Sequence, residues 1–446
     1  MMCRLANLRF QAKHLIYVQL VFVSLMLFFI TELHVPAASK SLTDVLTILA
    51  AICSLSRLRG VMDKKLTIVD VAVFIYSIYA LTTSVLTGVN PLVAVWAMRL
   101  SFRFYIFYYV CIVLLDRDDV SSIMRMFEIL FAVNVALVLF EYAVQGKSGD
   151  YLGGMFGVEQ GANTYMNLYL CIMLAYETAK YLHGELSIRR LGMYYVAALG
   201  IALLAEMKFL YIEIAVIIAV SAICKKPSVK TVSFVIIAVL AVAGGLQALK
   251  VVRPDSYAVL VQGEGVDGYL SASWTGGMEM GRTTAISFID KYFFSSSLIY
   301  EGYGAGYGNI DLNKLLGLGF GSSEASVLAV NPFSARYAGT QYGAFEFASK
   351  YLETGYVGLV LYSAVFVAMF VDTFKSGYQT NVYASIWIAA CRILMPLVLM
   401  NVWYGNLRTE ASYLFFFALA APMVVRKSRS TSACRPVVEG RRELES

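Results

Sequence analysis

The stretch SFVIIAVLAVAGGLQAL, Ser233 to Leu249, carries no ionisable side chain, and its reading decides the class of the fold. As an α-helix it approaches the length that crosses a hydrocarbon core of about 30 Å. Runs of similar length and character recur at Leu15 to Ile30, Val69 to Leu86, Val93 to Leu115, Gly355 to Val371 and Ala411 to Val425. With 59% hydrophobic and 15% charged residues, the whole chain groups with membrane proteins. A spanning segment must satisfy its own backbone groups, so each run is expected to be helical. The net charge of +6 does not point to a nucleic acid, because the basic residues sit in short clusters at the ends of the apolar runs.

Those clusters set an expected topology. Arg57, Arg59, Lys64 and Lys65 mark one inner loop, Arg117 and Arg125 the next, and Arg189 with Arg190 another. Lys225, Lys226 and Lys230 follow, then Arg426, Lys427 and Arg429 in the tail. The connections near Lys40, Gly88, Gly146 to Asn163 and Tyr404 to Glu410 are poor in basic residues and are expected to face out. Leu191 to Cys224 would make one helix of about 50 Å, yet both its ends carry inner-type charge. It therefore reads as a hairpin of two short spans turning near Glu206-Met207-Lys208. The expected fold is all-α and polytopic, with about twelve spans and both termini inside. It divides into a membrane bundle over 1–252, an outward-facing segment over 253–353, further spans over 354–425 and a tail over 426–446. Arg4, Arg9 and Lys13, then an apolar run, then Pro36-Ala37-Ala38-Ser39 resemble a cleavable signal, but the run is read as an uncleaved first span. The absence of a visible repeat between the halves weighs against a carrier built from related repeats.

Several classes of chemistry are excluded by inventory. The seven cysteines lie in apolar runs or inner basic segments, so no disulfide or zinc site is expected in the outer segment. The three histidines, His14, His34 and His183, also lie outside it. Gly302-Tyr303-Gly304-Ala305-Gly306-Tyr307-Gly308-Asn309 superficially resembles a phosphate loop, but neither Gly-x-Gly-x-x-Gly nor Gly-Lys-Ser is present. Its glycines suit a tight turn, with Tyr303 and Tyr307 presenting rings to a sugar or anchoring at the interface. Asp116-Arg117-Asp118-Asp119 is the one acidic cluster suited to a metal; it falls on the inner side, where Asp118, Asp119 and Ser121 suit a helix start. No metal and no cofactor is expected.

Ionised groups within spans usually line a bundle interior or a wet cavity. Arg99 and Arg103 share a face of the fourth span; either they pair with Glu141 as structural links or they border a cavity for an anionic lipid head group. Arg392 is read as structural. Glu206 and Lys208 either close their turn as an ion pair, with Glu213 further down, or Lys208 offers its charge to a phosphate.

The segment from Arg253 to Glu353, which includes Asn331-Pro332-Phe333, is the one long hydrophilic stretch. It offers Arg282, Arg336 and Lys350 as cations and Glu346 and Glu353 as carboxylates. Such a set suits transfer of a glycosyl group from a lipid pyrophosphate, where cations stabilise the leaving group and a carboxylate accepts the proton of the attacking hydroxyl. Glu346 is the expected base, with Glu353 assigned to capping or to pairing with Lys350.

Four features resemble the O-antigen polymerase and ligase superfamily of bacterial envelope enzymes. They are Phe156-Gly157 followed by Asn163 and Asn167; the hairpin with Glu206-Met207-Lys208, where relatives often carry Ser-Arg; Gly281-Arg282 leading into Gly302-Tyr303-Gly304-Ala305-Gly306; and Leu352-Glu353-Thr354-Gly355-Tyr356-Val357-Gly358. The resemblance spans about Phe156 to Phe370. It implies a fold like the C-type membrane glycosyltransferases, a multi-pass place in the bacterial cytoplasmic membrane, and an undecaprenyl-pyrophosphate-linked glycan as donor. Membrane lipid, flippase and chain-length regulator proteins are the implied partners. Lys208 and Arg282 take the places of the two family cations that face the pyrophosphate. Ligases carry a catalytic histidine eleven residues before the glycine matching Gly355, and that position is Ala344 here, which favours a polymerase. A ligase, a lipid-linked sugar flippase and a non-catalytic assembly scaffold are the alternatives.

Overall fold

The computed structural model describes residues 2–62, 66–89, 91–224, 229–261, 270–271, 281–308, 345–374 and 382–432, and among these the chain is helical with no strand. In order, the helices are α1 (Met2–Thr31), α2 (Leu42–Met62), α3 (Ile68–Leu86), α4 (Pro91–Leu114), α5 (Arg117–Ala143), α6 (Ala162–Leu182), α7 (Ile188–Leu204), α8 (Lys208–Cys224) and α9 (Val229–Val252). The hydrophilic segment contributes the short α10 (Pro254–Val261), α11 (Ala285–Tyr292) and α12 (Leu298–Tyr303). After it come α13 (Glu346–Asp372), α14 (Val382–Tyr404) and α15 (Ser412–Ser432).

Eight helices among the described residues are long and apolar enough to cross a membrane: α1 to α5, α9, α13 and α14. The chain is thus a polytopic, membrane-embedded helical protein. α6 is the central helix, buried along almost its whole length and packed against α14, α8, α15 and α7. Because its neighbours rather than lipid surround it, it tolerates Asn163, Asn167, Glu177 and Lys180 that a lipid-facing helix would not. α9 lies at the periphery, with only 17% of its apolar window buried, and presents Ile236, Val239 and Leu240 outward.

Local chemistry sets the helix boundaries. Thr67 and Asp70 form a capping box that starts α3, and Asp116 with Asp119 does the same for α5. The acidic cluster is therefore a helix start, but the cap is Asp116, not the residues just after it. Lys13 reaches Asp119 at 2.6 Å and ties α1 to that start. The backbone between α7 and α8 breaks at Ala205-Glu206-Met207, where Glu206 has φ 53°.

The connection from Val144 to Gly161 folds back into the bundle instead of lying on its surface. Leu152, Met155 and Phe156 are fully buried, and 3-10 turns at Gly149–Tyr151 and Gly154–Phe156 pack against α1, α5 and α6. Glu141 Oε2 accepts from the Gly154 N–H at 2.8 Å and Asn134 Oδ1 from that of Met155 at 3.0 Å. This corrects the expectation that Glu141 pairs with Arg99 and Arg103: its carboxylate satisfies buried backbone donors of the re-entrant turn.

α13 contains an elbow. Gly355 has φ 64° and ψ −169°, a region essentially restricted to glycine. The turn from Glu346 to Thr354 is thereby set at an angle to the long apolar part that packs along α3 and α14. Residues 346–354 close the hydrophilic segment as a buried helix under the bundle's end, not as an exposed loop.

Candidate functional site

One end of the bundle is formed by the carboxyl ends of α1, α3, α7, α9 and α14, the amino ends of α2, α4, α6, α8 and α15, and the described part of the hydrophilic segment. Two connected networks occupy its interior.

In the first, Asp44 near the start of α2 receives Arg99, and Arg103 at 3.0 Å. Arg103 also donates to the Arg408 carbonyl at 2.7 Å and lies 3.5 Å from Glu410. Arg103 packs over the rings of Phe104 and Tyr413, and Arg99 over Trp96. The Tyr413 hydroxyl donates to Asp44 at 3.4 Å. Arg99 and Arg103 do share a face, and the acids that answer them are Asp44 and Glu410.

The second network lies against the elbow. Lys350 has no exposed surface, and its ammonium donates to Ser101 and to the Tyr307 hydroxyl at 2.8 Å while lying 3.4 Å from Glu346 and 3.3 Å from Glu353. Arg408 reaches Glu353 at 2.7 Å and Glu346 at 3.7 Å. The Tyr362 hydroxyl and the Leu407 N–H donate to the two oxygens of Glu346, at 3.2 and 3.3 Å. Each buried cation in the two networks has a carboxylate to match it, which is the condition under which buried charges are stable.

Glu353 pairs with Lys350, as expected from the sequence, and Lys350 turns to these internal acids and not outward. Glu346 is 1% exposed and both its oxygens already accept from the protein, so the general-base assignment loses its basis: a base must reach the substrate hydroxyl. Lys350 and Glu353 are likewise internal. Tyr307 points inward, hydrogen-bonded to Tyr76 at 2.7 Å, and offers no ring to a sugar, whereas Tyr303 is 53% exposed. The glycine-rich turn between them serves the elbow. Ala305 N–H donates to the Leu352 carbonyl at 2.8 Å and Gly306 N–H to that of Glu353 at 2.9 Å, so the turn caps the short helix that carries Lys350. Arg336, Ala344 and Asn331 lie outside the described residues.

Beside these networks, Arg282 sits in the turn that opens α11. Its Nε donates to the Tyr404 carbonyl at 3.1 Å, and its guanidinium lies 3.9 Å over the Tyr404 ring and 4.9 Å from that of Phe345. Phe209 stacks on Tyr404 with centroids 3.7 Å apart and planes within 4°. Two groups within 4 Å of one centroid cannot share a face, so Tyr404 is sandwiched between Phe209 and Arg282. Lys208 is the chain neighbour of Phe209, so the stack joins the two sequence elements that carry the expected cations.

Around it, Glu206 pairs with Arg253 at 3.0 Å, which ties the α7–α8 turn to the start of the hydrophilic segment. Asn163 donates to Asp150 at 2.8 Å and to the Ala205 carbonyl at 3.1 Å, and so holds the re-entrant turn to the same hairpin. One layer deeper, Glu213 accepts from Asn167 at 2.7 Å and Asn401 at 2.6 Å. Arg392 donates to the Thr373 carbonyl at 2.9 Å, far from this end. Asp44, Arg408 and Glu410 were missed by sequence reasoning, although each is a charged residue at or near the end of an apolar run. Among the described residues no group of His, Cys, Asp and Glu is arranged to hold a metal ion. No protein-family model matches the chain, and no curated protein does either.

Proposed function

We propose that the chain is a polysaccharide polymerase of a bacterial cytoplasmic membrane, joining undecaprenyl-pyrophosphate-linked oligosaccharide units on the outer face. In this reading α6, the α7–α8 hairpin and α15 cross the membrane with the eight long apolar helices, which gives twelve spans with both termini inside. The charged end then faces out.

The observation that carries the reading is the attachment of Arg282. A guanidinium held by a carbonyl and two aromatic rings, at the end of an apolar bundle and next to the hairpin that bears Lys208, suits a lipid-borne pyrophosphate whose chain lies along the helices. Arg99, Arg103 and Lys350, counted as substrate contacts on sequence grounds, are matched by internal acids and act as scaffold here. Glycosyl transfer breaks the bond from the anomeric carbon to the pyrophosphate oxygen and forms one to the acceptor hydroxyl. Pyrophosphate is a good leaving group, so stabilising its developing charge by Arg282 and Lys208 is the main contribution asked of the protein. The internal position of Glu346 leaves the hydroxyl proton to the released pyrophosphate.

Arg282→Ala is expected to abolish chain lengthening in cells while the protein and the single-unit lipid carrier accumulate normally. Arg282→Lys keeps charge but loses the planar fork and the ring stacking, and retains part of the activity. Polymer of normal length from Arg282→Ala would remove this residue from the mechanism.

A further inference from the structure

We propose that Tyr404 is a positioning residue for anion binding: its ring fixes the direction of the Arg282 guanidinium and its separation from the α8 amino terminus. The inference rests on the reading of Arg282 as a pyrophosphate ligand, and it adds a residue that neither the motif resemblance nor the charge pattern singles out.

Arg282 takes its direction from outside its own element. It belongs to a turn before a helix of eight residues, an element too short to hold a long side chain by itself. Its contacts to α14 supply what the turn lacks. The Tyr404 carbonyl fixes Nε at 3.1 Å, and the ring face, 3.9 Å from the guanidinium carbon, fixes the plane in which the remaining N–H groups lie. A hydrogen bond at one nitrogen leaves rotation about that bond; a ring against the face removes it. Guanidinium recognition of a phosphate depends on that plane, because its parallel N–H pairs must meet two oxygens together.

Tyr404 is itself fixed from two sides. Phe209 covers its other face, and one helical turn back Asn401 is held by Glu213, 2.6 Å away on the same face of α8 as Phe209. The stack thus forms a rigid spacer between Arg282 and the first turn of α8, where Lys208 lies. With both faces occupied, Tyr404 is not a platform for a sugar ring; its work is done on the protein's own cation.

The test is titration of the purified full-length protein with inorganic pyrophosphate by calorimetry, comparing wild type with Arg282→Ala, Tyr404→Leu, Tyr404→Phe and the double variant Arg282→Ala/Tyr404→Leu. The backbone carbonyl remains in all of them, so only the ring is tested. Tyr404→Leu should weaken binding about tenfold, the scale of a desolvated cation–π contact, and Tyr404→Phe should restore it. The double variant should bind no worse than Arg282→Ala, because the ring acts only through the arginine. Phe209→Leu, which removes the ring stacked on the far face of Tyr404 and leaves both partners of the cation contact in place, should give a smaller loss in the same direction and serves if Tyr404→Leu does not fold. Wild-type binding that is lost in Arg282→Ala but unchanged in Tyr404→Leu would overturn the positioning role and leave the site standing. Absence of pyrophosphate binding to the wild type would overturn the anion site and this inference with it.

Discussion

The ammonium of Lys350 is enclosed by Ser101, Tyr307, Glu346 and Glu353, and Arg408 closes the set from the loop after α14. Spacing makes the first part legible: positions 346, 350 and 353 fall on one face of a helix, so mutual pairing of two acids and one lysine is written in the sequence. Arg408 and Tyr307 are not legible there, since they approach from 55 and 43 residues away in the chain. Their approach decides the role, by turning an exposed-looking acid–base set into a filled internal network. Removing one member of a buried ion network leaves charge uncompensated and costs about 3–5 kcal/mol. Glu353→Gln is therefore expected to lower the thermal midpoint of the purified protein markedly, with Arg408→Gln giving a similar loss and the pair being less than additive. If Glu346→Gln or Glu353→Gln instead kept full stability while activity fell by about 10²-fold or more, the carboxylate would be acting as a base after all.

Among the elements, α13 and the glycine-rich turn form a matched pair. Gly304 has φ 77° and ψ −178°, and Gly355 has φ 64° and ψ −169°. A Cβ on Gly355 would lie 2.4 Å from backbone atoms of Gly302, and one on Gly304 2.4 Å from the Thr354 nitrogen. Each glycine thus satisfies its own backbone angle and the other segment's approach. Gly355→Ala should cost roughly 2 kcal/mol or more from backbone strain alone, read as a lower thermal midpoint. It should also loosen the Lys350 network, seen as faster hydrogen exchange at Ala305 and Gly306, whose N–H groups cap the short helix. Unchanged exchange there would disconnect the turn from the elbow. Both glycine motifs are visible in the sequence, but the first reads there as a tight turn whose tyrosines face a sugar or anchor at the interface, because nothing in a linear pattern shows that one turn seats on another far along the chain. Apolar runs marked the long helices, and the basic clusters at both ends of Leu191 to Cys224 marked the break between α7 and α8. The re-entrant turn after α5 escaped notice because short buried loops lack a periodic signal.

At the scale of the molecule, one end of the bundle holds both internal charge networks. The networks are balanced acid against base, while Arg282 and the α7–α8 hairpin meet across an aromatic stack at the same end. The polytopic class was legible from composition and run length, which report burial in lipid directly; the arrangement of the end was not, since it depends on which helices are neighbours. The central claim is that this end transfers glycan from a lipid pyrophosphate, and the direct measurement is reconstitution. The purified protein in proteoliposomes would be given an undecaprenyl-pyrophosphate-linked repeat unit, with product length read on gels and released lipid pyrophosphate counted per unit added. The account predicts lengthening that persists with chelator present, one lipid pyrophosphate released per bond formed, and loss of both in Arg282→Ala. Failure of the wild type to lengthen an authentic repeat unit from its own cells, or equal lengthening by wild type and Arg282→Ala, would contradict it.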